Sequence, residues 1–184
     1  DWAFLAGLDA DLRAGLARSL VAEWTHSSTA LEGNTISAGD TLFVLTEGLT
    51  VSGKSLREHQ ELHGHAEAIG LMASWVRTRQ TLRSGHLHQL HRAVQTGAPL
   101  DALAPVGRWK LEPNGTTAIT TKGKTGWHEY AKPRDIPVLV GEWLGSLAGF
   151  CRNSRNQSPN GADVHDALLD AYTDVHLGFA AIHP

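Results

Sequence analysis

The chain has 184 residues, of which 41% are hydrophobic and 19% are charged, and this composition is typical of one globular domain rather than a disordered or fibrous chain. Its 16 basic and 19 acidic residues give a net charge of −3, which argues against a protein that coats nucleic acid. A single cysteine excludes an intrachain disulfide and predicts a reducing compartment, the cytoplasm. No apolar run approaches the ~20 residues that cross a bilayer, and the first residues lack a basic signal segment, so we expect no membrane association.

The N-terminal part of the chain predicts two helices. Apolar residues recur at every fourth position from Leu8 to Trp24, which indicates an amphipathic helix whose apolar stripe needs a partner. Gly33-Asn34 is typical of a helix stop, so we expect this helix to run on to Glu32. Ser37 then resembles the N-cap of a short helix that ends at Gly48.

Four further helices are predicted, which makes the architecture mostly α-helical. Helical spacing of apolar residues extends from Ser55 to about Arg79, and Ser84 resembles the cap of a helix that ends before Gly97. We expect the next helix to start at Pro133 and end near Phe150, followed by a loop from Asn153 to Gly161. A last core helix leads to His183-Pro184.

One segment, from Gly107 to Arg134, differs from its helical surroundings. It is rich in Thr, Gly and Lys, and the β-branched run Thr116–Thr121 predicts a strand in an exposed hairpin or flap. Six basic residues against two acidic ones give the segment a charge of +4, so we expect it to attract anionic ligands.

Eleven histidines raise the question of a metal site. His88 and His91 share a helix face without a carboxylate between them, and His59 and His63 lack a Glu directly after the first His, as the zinc-protease pattern requires. Ordinary solvated, capping or core histidines are therefore the favoured interpretation. Cys151 has no visible base partner, which favours a buried or half-buried thiol without chemistry.

A motif near the start of the chain resembles a known regulatory sequence. The segment from Ser28 to Asn34 matches the pattern [S/T]xxxE[G/N]N, with Ser28, Glu32, Gly33 and Asn34 in its defining positions. This pattern is the inhibitory-helix motif of the Fic (Fido) family. A carboxylate at a helix C-terminus gains nothing from the helix dipole, so the position of Glu32 itself invites a functional reason.

Other segments extend this resemblance over essentially the whole chain. Gly107-Arg108-Trp109 resembles the segment before the Fic flap, and residues from Ile119 to Pro137 resemble the flap and the helix after it. His183-Pro184 resembles the first two letters of the signature HPFxxGNGRxxR. The remaining letters, which supply an acidic Mg²⁺ ligand, a glycine-rich phosphate cradle and two arginines, lie beyond this chain, so we expect the chain by itself to be inactive.

The resemblance implies a mainly α fold, a Fic-like helical bundle with a small β-hairpin flap. It divides the chain into N-terminal helices that include the inhibitory helix, residues 1–53, and a Fic core that is incomplete at its C-terminus, residues 54–184. We expect both to form one compact unit.

The resemblance also implies a protein adenylyltransferase that moves AMP from ATP, with Mg²⁺, to a Ser, Thr or Tyr hydroxyl of a target protein or of itself. His183 would be the general base, which suits an imidazole that titrates near neutral pH. Glu32 would pair with the second arginine of the signature and obstruct the γ-phosphate of ATP. The flap residues Ile119, Thr120 and Thr121 would position the target or the nucleotide.

Three alternatives remain open at this point. A Fic-fold protein can transfer another phosphate-containing group, and the rest of the signature would discriminate between donors. The chain can also be a noncatalytic regulatory or interaction module that keeps the fold. The third alternative is a histidine-rich metal-binding helical protein, which a metal analysis would test. The target protein and any homo-oligomeric assembly also stay open.

Overall fold

Six helices and one two-stranded sheet form the described part of the chain, which confirms the mainly α fold with a small hairpin. The computed structural model describes residues 7–96, 105–119, 123, 125–156 and 162–182. The helices are α1 (Ala10–Leu31), α2 (Ala38–Glu47), α3 (Leu56–Arg77), α4 (Ser84–Val94), α5 (Ile136–Asn156) and α6 (Ala162–Ile182), and the strands are β1 (Gly115–Ile119) and β2 (Thr125–Glu129).

The chain is organised in two compact units. The first contains Asp1–Arg79 and Gln89–Pro99, and the second contains Gln80–His88 and Leu100–Pro184. Helices α1, α2 and α3 therefore belong to the first unit, and the hairpin, α5 and α6 to the second. The division into residues 1–53 and 54–184, and their union in one compact unit, stay predictions.

Helix α1 begins at an N-cap residue and ends at the predicted stop. Asp9 caps its N-terminus by accepting a hydrogen bond from the backbone N–H of Leu12 at 2.8 Å. At its C-terminus Gly33 has a φ of 94°, in the left-handed region that favours glycine. The N–H groups of Gly33 and Asn34 donate to the carbonyls of Ala30 and Thr29 at 3.0 and 3.1 Å, which is a Schellman turn.

The apolar stripe of α1 does not face the core, contrary to expectation. Leu12, Leu20 and Trp24 are each more than half exposed in the described structure. Helix α1 instead packs on α2 and α3 through a face of small side chains, which allows the helices to approach closely. The buried residues of that face are Ala22, Thr25 and Thr29.

The core of the first unit is formed by Ile36, Val44 and Leu62, all essentially inaccessible to solvent. Ser37 caps α2 as predicted, because its hydroxyl accepts from the N–H of Asp40, and Gly48 ends this helix with a φ of 67°. The first unit thus has an apolar centre surrounded by well-capped helices.

The start of α3 is tied to the segment that follows α1. Ser55 and Glu58 form a capping box, in which the Glu58 carboxylate accepts from the backbone N–H and the hydroxyl of Ser55, each at 2.9 Å. The same carboxylate accepts from the N–H and the hydroxyl of Thr35, at 3.0 and 2.6 Å. These hydrogen bonds, the one from the Thr35 hydroxyl first, lower the pKa of Glu58 from its ordinary value of 4.5 to about 2.

Helices α3 and α4 approach each other closely at Gly64. A Cβ at this position would meet the backbone carbonyl of Ala93, and it would also approach the side chain of Thr96 at 3.5 Å. Gly70, two turns later on α3, has open space around it. The close approach of the two helices therefore depends on the missing side chain of Gly64.

The second unit has an apolar core of its own. Ile136 and Val140 of α5 pack with Ile182 of α6, and half-buried neighbours cover them. Trp143 joins the two helices, because its indole N–H donates to the carbonyl of Val175 at 2.7 Å and its ring lies 4.7 Å from that of Phe179. This packing fixes the C-terminal end of α6.

Three predicted helix boundaries differ from the structure. Helix α5 begins at Ile136 after a turn from Lys132 to Asp135, not at Pro133. It ends at Asn156, beyond the predicted end near Phe150. Asn and Ser in a helix interior each reduce the stability of the helix by less than ~1 kcal/mol, so they do not end it. In α4, Ser84 is the first helical residue rather than the cap, and the ring of His86 accepts from the N–H of Arg83 at 2.9 Å.

The close approach at Gly64 yields a stability prediction with a matched control. Gly64→Ala should lower the free energy of unfolding by roughly 1–3 kcal/mol, because the rigid Ala93 backbone cannot yield to the new methyl group. Gly70→Ala should raise it by about 0.5–1 kcal/mol through helix propensity. Denaturant unfolding of both variants measures these changes, and equal effects would contradict the packing argument.

The Glu58 hydrogen bonds predict an acid-sensitive stability. Because the folded-state pKa lies below the ordinary 4.5, the carboxylate stabilises the fold above that pH, and this contribution is lost as the pH falls towards about 2. Glu58→Gln should therefore lower the melting temperature at pH 7 and flatten its decline between pH 4.5 and 2. Glu67→Gln, an exposed substitution on the same helix, should leave the pH profile unchanged.

Candidate functional site

An open cleft of about 420 Å³ lies in the first unit, beside the end of α1. Ser28 and Glu32 of the inhibitory-type motif line it, and Arg57, Glu61 and His65 line it from α3. Val94, the last residue of α4, and the two residues after it complete the wall. Two defining positions of the motif therefore face the same cavity as three ionisable side chains from another helix.

Glu32 occupies the C-cap position of α1, as the sequence predicts. Its backbone N–H donates to the Thr29 carbonyl at 3.1 Å, and its side chain is exposed. Within residues 7–96 and the other described ranges, the ion pairs are Arg57–Glu61 and Arg134–Asp135, so Glu32 has none there. A carboxylate without a cation at the negative end of a helix dipole is available to a cation that enters the cleft.

The other defining residues of the motif shape the turn behind Glu32. Gly33 provides the left-handed residue of the Schellman turn. Asn34 is buried, and its side chain makes hydrogen bonds to α3 and to the backbone that follows it. The roles of Ser28, Glu32, Gly33 and Asn34 in inhibition stay predictions.

Sequence reasoning missed the cleft residues that α3 contributes. The guanidinium Nε of Arg57 lies 2.9 Å from Oε1 of Glu61, an i,i+4 pair that the spacing could have indicated. His65 Nδ1 pairs with the Thr25 hydroxyl at 3.2 Å, and partial burial lowers the pKa of His65. These residues become neighbours of Glu32 only through the packing of α1 on α3.

The hairpin has a regular antiparallel register, from Gly115 opposite Glu129 to Ile119 opposite Thr125. The N–H of Tyr130 donates to the carbonyl of Asn114 at 3.0 Å, which makes these residues a hydrogen-bonded pair. Such pairs alternate along an antiparallel ladder, so the backbone groups of Thr117 and Ile119 point away from β2. In the described structure they face an open strand edge, because the sheet has two strands.

Trp127 lies on one face of this hairpin. Its indole ring covers Gly115 of the partner strand, since a Cβ there would fall 2.7 Å from its Cε2 atom. The ring nevertheless remains 69% exposed. At the base of the hairpin, Lys110 donates to the Asn114 side chain and lies 5.8 Å from the centre of the Tyr130 ring, and burial lowers the pKa of Lys110.

Three of the predicted site residues, Thr120, Thr121 and His183, lie outside the described residues. Ile119 is the last residue of β1, and Ile182, which precedes His183, is buried in the core of the second unit. The functional roles of Ile119, Thr120, Thr121 and His183 stay predictions.

His59 and His88, two of the histidines weighed as metal ligands, have structural partners in the described structure. His59 is buried, with Nε2 accepting from the N–H of Val51 at 2.9 Å and Nδ1 donating to the Ser55 carbonyl at 2.7 Å. His88 packs against Trp109 at 4.2 Å. Among the residues that the structure describes, no three His, Cys, Asp or Glu side chains come close enough to hold a metal ion, so none is assigned as a Mg²⁺ ligand.

Cys151 is exposed, so the expectation of a buried or half-buried thiol is wrong. It lies on α5, directly after the half-buried Phe150. In the part of the chain that the structure covers, no helix combines the length and apolar character needed to traverse a membrane.

Comparison with known sequences finds relatives of one kind. No family model matches the chain. It is 30% identical over 82 residues to protein adenylyltransferase fic-1 of Caenorhabditis briggsae, covering 43% of this chain and 16% of that protein. It is 28% identical over 141 residues to protein adenylyltransferase Fic of Culex quinquefasciatus, covering 76% of this chain and 26% of the relative. The chain thus spans a minor part of the curated relatives that it matches.

Comparison of structures agrees with this result. The fold superimposes on a Fic domain containing signaling protein from Bacteroides thetaiotaomicron with a TM-score of 0.76 and 21% identity, over 100% of this chain and 62% of the other. That likeness establishes the fold, and the named sequence relatives point in the same direction. The chain therefore has the fold of a Fic domain, and its sequence is similar to those of Fic protein adenylyltransferases.

Proposed function

We propose that this chain is part of a protein adenylyltransferase that Glu32 holds in an autoinhibited state. In this proposal the chain continues from His183 through the rest of the HPFxxGNGRxxR signature, and we call that longer form the signature-complete protein. The single cysteine favours the cytoplasm as its compartment. The observation that carries the proposal is the exposed Glu32 carboxylate. It lines a cleft, and it has no ion-pair partner in the described structure.

The proposed reaction transfers AMP from ATP to a hydroxyl of a target protein. The hydroxyl oxygen attacks the α-phosphorus, the bond from that phosphorus to the oxygen bridging to the β-phosphate breaks, and pyrophosphate leaves. His183 accepts the hydroxyl proton as general base, a role that usually contributes ~10²–10⁴-fold to the rate. We expect Mg²⁺ to accompany ATP, with its protein ligand in the signature beyond this chain.

Inhibition follows from competition for one arginine. The second arginine of the signature would bind the γ-phosphate of ATP in the active enzyme, and a carboxylate can take the same bidentate donor. Glu32 is suited to this competition because its side chain is exposed at the cleft and the turn after it is closed by two backbone hydrogen bonds. The resting enzyme would then bind ATP with its triphosphate in a position from which AMP transfer does not occur.

The hairpin supports the choice of a protein as the acceptor. Thr117 and Ile119 present backbone N–H and carbonyl groups at an open strand edge, where an extended target segment can add itself as a third strand. Because such pairing uses backbone atoms, it positions a hydroxyl without demanding one target sequence.

The first prediction of this proposal concerns release of inhibition. In the signature-complete protein, Glu32→Gly should raise AMP transfer from ATP about 10-fold or more, since it removes a charge-assisted competitor of ~1.5–3 kcal/mol. Glu32→Asp should activate partially, because the shorter side chain reaches the arginine less well. Glu47→Gly, the same change one residue before the glycine that ends α2, is the matched control and should leave transfer unchanged.

Adding His183→Ala to Glu32→Gly should abolish transfer while the protein stays folded. Labelling with radioactive ATP and thermal unfolding measure both properties. Unchanged or reduced transfer in Glu32→Gly, with ATP binding intact, would show that Glu32 is a helix-end residue without an inhibitory role. Retained transfer without His183 would remove that histidine from the mechanism.

The second prediction concerns the flap. Ile119→Pro removes an N–H that points to the open edge and leaves the hydrogen bonds between β1 and β2 in place. In the Glu32→Gly background it should raise the KM for a protein target by about 2- to 10-fold, the effect of one lost hydrogen bond. Ile119→Val, which keeps the N–H, should not. An equal loss of ATP affinity would place Ile119 in the nucleotide site instead.

A further inference from the structure

The side chain of Asn34 is fully used by hydrogen bonds. It is 7% exposed, and its Nδ2 donates to the backbone carbonyl of Glu58 at 2.9 Å and to Oε2 of Glu61 at 3.0 Å. Its Oδ1 accepts from the N–H of Ile36 at 3.0 Å. One donor at Oδ1 and two acceptors at Nδ2 fix the orientation of the amide, because a flipped amide would place donor against donor and acceptor against acceptor.

Glu61 is the side chain that connects this amide to the cleft. One carboxylate oxygen accepts from Asn34, and the other accepts from Arg57 at 2.9 Å. The Glu61 side chain is only 26% exposed, so both hydrogen bonds are partly shielded from water. Glu61 thus holds Asn34, which lies 27 positions earlier in the chain and just after the end of α1.

The position of Glu32 depends on this attachment. The backbone N–H of Asn34 closes the Schellman turn on the Thr29 carbonyl at 3.1 Å, and Glu32 lies inside that turn. No ion pair holds the Glu32 side chain among the described residues, so its direction is set by the backbone of the turn. Releasing the Asn34 side chain would loosen the turn and with it the placement of the Glu32 carboxylate.

We infer that Glu61 is a positioning residue for inhibition, which acts through Asn34 to keep the Glu32 carboxylate directed into the cleft. The inference rests on the proposed inhibitory role of Glu32. It assigns a role in inhibition to a residue of α3, outside the motif from Ser28 to Asn34. Removing Glu61 also frees the Arg57 guanidinium, a cation that lines the same cleft and can approach Glu32. Both consequences act in the same direction and reduce inhibition.

The test is a double-mutant cycle in the signature-complete protein. Glu61→Ala should raise AMP transfer about 5-fold or more, the usual range for coupling between two sites, and Asn34→Ala should do the same. Glu67→Ala, the same change at an exposed position of α3, should have no effect. In the Glu32→Gly background, Glu61→Ala should add nothing, because residues that act through one interaction are not additive.

Each outcome separates the inference from the proposed function. Activation by Glu32→Gly without activation by Glu61→Ala overturns the role of Glu61 and leaves the inhibitory role of Glu32 standing. Further activation by Glu61→Ala on top of Glu32→Gly overturns it as well, since Glu61 would then act independently. No activation by Glu32→Gly contradicts the proposed function itself.

A conservative variant keeps the test decisive if Glu61→Ala does not fold. Glu61→Gln keeps the side-chain volume and one acceptor for Asn34 but removes the charge that binds Arg57, so transfer should lie between wild type and Glu61→Ala. Thermal unfolding identifies any variant that does not fold. If Glu61→Ala unfolds, the same cycle with Glu61→Gln decides the question, and wild-type transfer in that variant together with activation by Glu32→Gly overturns the inference.

Discussion

The first unit is organised around the buried amide of Asn34. A primary amide withdrawn from water is costly unless each of its groups finds a partner, and here the carbonyl and both N–H groups do. Satisfying them requires α1 to end beside the first turns of α3. The cleft beside Glu32 adjoins this attachment, because Glu61, which holds the amide, also lines the cleft.

The two units are stabilised by different kinds of contact. In the first, a short apolar core of Ile36, Val44 and Leu62 is surrounded by polar attachments at helix ends, with Glu58 as their most connected member. In the second, Ile136, Val140 and Ile182 form a helix-to-helix core that one indole hydrogen bond reinforces. The first arrangement depends on charge and hydrogen-bond direction, whereas the second depends mainly on apolar burial.

Local signals in the sequence predicted the elements well. The stop at Gly33, the caps at Ser37 and Gly48, and the β-branched run of the hairpin depend on the conformational preferences of a few neighbouring residues, and each is present. The buried face of α1 could not be predicted in this way. Hydrophobicity predicted that the stripe containing Trp24 is buried. The structure buries the small side chains of Ala22, Thr25 and Thr29 instead, because they allow α1 to pack closely on two other helices.

The site was predictable only where a motif marks it. Glu32 stands in a recognisable pattern, whereas Glu61 and His65 become its neighbours through contacts between positions about 30 residues apart, which no local rule contains. The exposure of Cys151 shows the same limit, because an apolar stretch before it does not reveal which side of α5 the thiol occupies.

The open edge of the hairpin has a consequence for association with other chains. An unpaired strand edge can template aggregation, and proteins control this risk by keeping such strands short. Here each strand has five residues, and glycines at positions 115 and 126 interrupt the side-chain rows on both strands. A second chain could form only a few ladder hydrogen bonds along so short an edge, too few for a lasting sheet. The geometry suits brief encounters that end readily, and it disfavours permanent polymers.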